Sequence, residues 1–188
     1  MKSSGLLLVT VVLASVAIGI GCSTAPKNEG DAAKLANNAQ AELANYKVKD
    51  PTVQALLDKS VGYAIFPDIG KGGWIIGGSY GRGEVYEKDK HIGYADIKGV
   101  SAGFQWGAQN FSELLIFMSQ TEMDKFKSGE FSVGANVSAV ALASGAAAAT
   151  DPSKGVIALV DTKGGLMAEA AVGGQQMKFQ PLNATTQP

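Results

Sequence analysis

The sequence predicts an α+β fold, with N-terminal helices packed on a strongly curved, mostly antiparallel, glycine-rich β-sheet or barrel-like sheet. Three observations carry this: helical stripes between residues 31 and 61, short β-branched and aromatic runs from Tyr63 onward, and 24 glycines, densest between Gly70 and Gly107. Glycines on both faces of a strand mark bulges, sharp coiling or close backbone approach, not a flexible linker.

The first helix is expected from Asp31, read as its N-cap, because Ala32, Leu35, Ala36, Ala39, Leu43 and Tyr46 fall on one stripe. Asp50-Pro51 announces a second helix, with Val53, Leu56, Leu57 and Val61 as its apolar stripe. Strands are expected at 63–66, ending on Pro67, then at 73–80, 84–87, 92–97 and 100–107, with Asp89-Lys90 suited to a hairpin loop. Residues 112–126 read as helix or mixed structure, with Thr121 and Asp124 spaced like a capping box. Strands at 131–143, 156–160, 166–172 and 177–179 complete the sheet, and 144–154 reads as a loop.

Ahead of this domain, Met1 and Lys2 precede an apolar run from Leu6 to Ile20, then Gly21 and the only cysteine, Cys22. A basic start, a short apolar region and a small residue at the cut describe a secretory signal peptide, and the run is too short to cross a bilayer as a helix. A lone cysteine at that position reads as the lipidation site of a bacterial lipoprotein, an acylated thioether being inert where a free thiol would not be. Gly19 stands where the lipobox usually carries Leu or Val, and an ordinary secretory signal is the alternative. The division expected is signal peptide 1–21, lipidated cysteine and tether 22–30, domain 31–182 and polar tail 183–188. The signal peptide implies export across the inner membrane, and Ser23 rather than Asp after the cysteine favours anchoring to the outer membrane, facing the periplasm.

The formal net charge is −1, and removal of Met1–Gly21, with one lysine and no acid, makes it −2. That leaves no electrostatic footprint for nucleic acid and no polybasic run that would hold anionic lipid by charge alone.

Catalytic chemistry finds little support. Gly77-Gly78-Ser79-Tyr80-Gly81 matches the G-x-S-x-G elbow of serine hydrolases, but the elbow needs a strand, a sharp turn and a helix, and Arg82–Glu87 reads as strand. The only histidine, His91, falls in an expected hairpin, not on a separate loop. Gly70-Lys71-Gly72-Gly73 lacks the spacing of a phosphate-binding loop. One histidine and scattered acids suggest no metal site, and no cofactor is expected.

Several ordered motifs carry a family resemblance. Val61-Gly-Tyr-Ala-Ile-Phe-Pro67, Lys71-Gly-Gly-Trp-Ile-Ile-Gly-Gly-Ser-Tyr-Gly-Arg-Gly83, Gly103-Phe-Gln-Trp-Gly-Ala-Gln109, Glu113-Leu-Leu-Ile-Phe-Met118 and Phe126-Lys-Ser-Gly-Glu-Phe-Ser-Val-Gly-Ala135 together resemble the SYLF domain, over about Ala32 to Leu182. Eukaryotic members bind phosphoinositide-containing membranes and, in fungi, actin-patch components; bacterial members are typically secreted lipoproteins. The resemblance thus implies a non-catalytic, lipid-binding module whose partner, in the periplasm, is anionic membrane phospholipid. It implies contact through an N-terminal helix and basic residues, matched in position and character by 31–46, with Lys34, Lys47, Lys49 and Lys59 near the tether and Lys71 and Arg82 in the glycine-rich core. Arg82, the only arginine, suits bidentate contact with phosphate; an ion pair to Glu84 or Asp96 is its structural alternative. The competing functional reading is a structural or interaction lipoprotein whose domain binds a protein partner and touches lipid only through its acyl anchor.

Overall fold

The computed structural model describes residues 24–72, 76–102, 109–129, 131, 137–162 and 175–182. Helices α1 (Glu29–Lys49) and α2 (Thr52–Lys59) come first. Strands β1 (Gly62–Gly72), β2 (Ile76–Glu87), β3 (Lys90–Ala102) and β4 (Gln109–Phe117) follow. Helix α3 (Gln120–Ser128) then precedes β5 (Val137–Ala141), β6 (Val156–Thr162) and β7 (Gln175–Pro181). The strands form one sheet in the order β5-β6-β4-β1-β2-β3-β7, antiparallel except for the β5–β6 pair. The expected α+β class and mostly antiparallel sheet are therefore observed.

Local chemistry moves several boundaries. Helix α1 starts at Glu29 because Asn28, not Asp31, is its N-cap: the Asn28 side chain accepts from the Asp31 N–H at 2.8 Å, and its amide donates back to the Asp31 carboxylate at 3.1 Å. Asp50 does open α2, its Oδ1 accepting from the Thr52 N–H at 3.0 Å. Its Oδ2 accepts from the Ala147 N–H at 2.7 Å, tying α2 to the turn that follows β5. Burial opposes the charge on Asp50, yet the bonds from Thr52 and Ala147 outweigh it and hold the carboxyl below its ordinary range. In α3 the capping pair is Ser119 and Glu122, two residues ahead of the expected one.

Pro67 does not end β1. The register with β2 and β4 shifts between Phe66 and Ile69, so this donor-less residue sits in a bulge. The bulge also explains how Phe66 and Ile69, three residues apart, both reach the same core cluster. The described part of 73–80 and the piece 84–87 belong to one strand, as do 92–97 and the described part of 100–107; the hairpin turn between them holds Lys88 and Asp89 at φ 48° and 61°. Residues 112–126 divide into the end of β4 and most of α3. The strand expected at 166–172 lies outside the described residues.

Two cores flank the sheet. On one face Ile65, Leu114, Ile116, Ile157 and Leu159 pack beneath Ala39 and Tyr46 of α1 and Val53 and Leu56 of α2. On the other, Phe66, Val85, Ile97, Phe111, Leu115, Phe117 and Met177 enclose Met123 and Phe126 of α3. This second face is concave. Three strands separate β4 from β7, about 19 Å in a flat sheet, yet the Gln175 amide on β7 donates to Glu113 on β4 at 3.0 Å. Phe126 likewise touches Phe117 on β4 and Phe179 on β7, with ring centroids at 4.9 and 6.1 Å. Such curl demands glycine: a Cβ on Gly83 would lie 2.3 Å from the Ile65 carbonyl oxygen and 2.7 Å from the Phe66 ring.

Candidate functional site

The sequence motif around Ser79 builds no nucleophile elbow. Ser79 lies inside β2, paired with Gly99 on β3 and Lys71 on β1, with no turn or helix behind it. His91 pairs with Tyr86, seven residues along the same strand, or about 23 Å away. One nitrogen of its ring lies 3.0 Å from the Gly93 carbonyl oxygen and 3.8 Å from Glu84. Ser79 and His91 therefore form no catalytic pair. Among the described residues no three His, Cys, Asp or Glu side chains gather as metal ligands.

The predicted lipid-contacting residues separate into different surroundings. Arg82 on β2 and Lys34 on α1 are brought together: with Lys27, Asp31 and Asn38 they line an open groove of about 340 Å³ between the helix N-terminus and the sheet. Three cations there face one carboxylate. Arg82 also donates to the Tyr80 hydroxyl at 3.4 Å. The groove's dimensions and charge suit an anionic oxygen cluster such as a phosphate, which a guanidinium grips bidentately and lysines neutralise. Lys27 was not anticipated, because it lies in the stretch read as tether.

Lys47 lines a different groove of about 240 Å³, where Lys88 is matched by Asp58 and Asp89, so that groove carries no excess of positive charge. Lys49 is engaged in an ion pair with Asp161 at 2.5 Å. Lys59 is exposed in the last turn of α2, where its charge complements the helix dipole. Lys71 pairs through its backbone with Ser79 and Gln109. Cys22 lies outside the described residues.

Helix α1 does not offer its apolar stripe to a membrane. Tyr46 is fully buried, its hydroxyl donating to the Leu159 carbonyl at 3.1 Å, accepting from the Asp161 N–H at 3.2 Å and lying 3.2 Å from the Ser112 hydroxyl. Burial pushes its phenol well above the ordinary range. Ser112 donates to Glu42 at 2.6 Å, and Asn45 bridges Glu42 and Asp161 at 3.3 Å each. The helix is latched to the sheet through polar as well as apolar contacts. No helix among the described residues is long and apolar enough to cross a membrane.

The fold is thus an α+β domain on one curled sheet, with a small basic groove where the first helix meets the second strand. Residues 98–181 match the sequence model of the Ysc84 family, described as Las17-binding protein actin regulator, in agreement with the SYLF resemblance. The match begins inside β3 and runs to the end of β7, so Val61–Pro67 and Lys71–Gly83 lie outside it. No curated protein matches the chain at a significant level.

Proposed function

We propose that this protein is a lipoprotein, exported and acylated on Cys22, whose SYLF-like domain binds anionic phospholipid at a periplasmic membrane surface without catalysing a reaction. The observation that carries the reading is the groove of Lys27, Lys34 and Arg82, which lies on the N-terminal side of the domain next to the segment leading back to Cys22. The acyl chains supply most of the membrane affinity, since two or more chains anchor stably where one alone anchors only reversibly, and the basic site adds a headgroup contact. The groove supplies recognition of the phosphate. The SYLF family is one of binding domains, which supports a binding role over a catalytic one.

Co-sedimentation of the chain from Ser23 to Pro188 with neutral and anionic vesicles tests the domain's part. Binding to anionic vesicles only, weakened at higher salt and by Arg82→Ala, is expected; binding to neither vesicle type sinks the reading. Cys22→Ser tests the anchor, since that variant should leave the membrane fraction or stay unprocessed. A second reading is favoured by the family's description, which names a protein partner: an interaction lipoprotein whose domain holds another protein. Failure of vesicle binding together with retained membrane anchoring through Cys22 would support it.

A further inference from the structure

The outer face of β2, β3 and β7 carries cations that only the strand register brings together. Arg82 on β2 pairs with Asp96 on β3, which pairs with Lys178 on β7; Tyr80, Lys98 and Gln176 form the adjoining row. Residues two apart on a strand share a face, so both rows point to the same side of the sheet. Tyr80 is 48% exposed there, and Lys98, Gln176 and Lys178 are also exposed. The one carboxylate of these rows, Asp96, is only 3% exposed and lies 3.9 Å from the Lys98 ammonium. What reaches solvent is cationic, with one aromatic ring among the charges.

The N-terminal segment crosses this same face. The Thr24 hydroxyl donates to Asp96 at 3.2 Å, and the Ala25 N–H donates to the Gln180 side chain at 3.0 Å. Cys22 is two residues before Thr24, and two residues of extended chain span at most about 7 Å.

We infer that the face bearing Tyr80, Arg82, Lys98 and Lys178 is the surface on which the domain lies against anionic lipid, in the very membrane that holds its N-terminus. The inference rests on the lipid reading given above and adds to it an orientation and two residues, Lys98 and Lys178. Charge complementarity selects the face. The docked N-terminal segment holds that face within reach of the anchoring bilayer and keeps the domain from swinging out on a tether. Tyr80, with its ring among cations and its hydroxyl beside Arg82, has the amphipathic character of side chains that sit at headgroup depth.

The test uses the chain from Ser23 to Pro188, which contains every described residue, with mixed phosphatidylethanolamine and phosphatidylglycerol vesicles. Each lysine near an anionic surface adds about 1 kcal/mol, so Lys98→Gln with Lys178→Gln should weaken partitioning about 30-fold. The charge-matched pair Lys47→Gln with Lys59→Gln, in the last turns of α1 and α2, should change it only a few-fold. Equal losses in the two pairs, or full binding by the Lys98/Lys178 pair, would overturn the orientation while leaving the lipid reading intact. Failure of the unaltered chain to bind would overturn both. A second measurement does not depend on affinity. This chain contains no cysteine, so a fluorophore placed through Lys98→Cys should be quenched by spin-labelled lipid more strongly than one placed through Lys59→Cys, and the reverse order would refute the proposal.

Discussion

Ser112 and Glu113 are neighbours on β4, equally buried, and they face opposite sides of the sheet. On the helical side, Ser112 enters a network in which Glu42, Asn45, Tyr46, Lys49 and Asp161 answer one another's hydrogen-bonding needs. On the concave side, one oxygen of Glu113 accepts from Gln175, and the other has no hydrogen-bond partner among the described residues. Burial drives the Glu113 carboxyl up to about 7, the bond from Gln175 opposing only part of the shift. The same strand thus holds one buried polar group that latches a helix and another that is a liability whenever it is charged. Burial alone decides neither outcome; the partners delivered by the facing element do.

The largest effect expected from this contrast is pH dependence on the concave side. An acid whose folded value, about 7, exceeds its ordinary 4.5 binds its proton more tightly in the folded state. It costs nothing below 4.5, costs increasingly more as pH rises, and carries its full cost above 7, about 3 kcal/mol. Urea unfolding at pH 5 and pH 8 should therefore show a decline that Glu113→Gln largely abolishes; an unchanged decline would break the contrast. Next comes Tyr46→Phe, which strands the Asp161 N–H and the Leu159 carbonyl and should cost about 2–3 kcal/mol at either pH. A cost under ~0.5 kcal/mol would mean that the helical-side network is ornamental. The smallest is Lys49→Met. The Lys49 side chain is 44% exposed, so its ion pair with Asp161 is screened and should contribute less than about 1 kcal/mol, shrinking in high salt.

The same two faces explain what was legible beforehand. The stripe from Ala32 to Tyr46 shows at the sequence level because α1 buries one side only. β4 was not legible, because every residue from Phe111 to Phe117 is buried and a strand covered on both faces loses its alternation. The long strands β2 and β3 looked broken because glycines that permit close packing at Gly83 and Gly99 resemble turn residues in sequence. Arg82 stood out as a solitary arginine. Lys98 and Lys178 did not, since eighty residues separate them and the intervening strand order sets their meeting. Lys27 was hidden by its place in an apparent tether, which in fact docks.

That docking also sets an order of assembly. Ala25 binds a side chain 155 residues further along, on the last strand, and Thr24 binds one 72 residues away. Closing loops of that length is entropically costly, and folds dominated by such contacts form slowly. The beginning of the domain therefore finds its seat only after the end has been made and β7 has joined β3. A chain clipped ahead of β7 would lose the mooring of its N-terminus along with a strand, so damage at one terminus would be felt at the other.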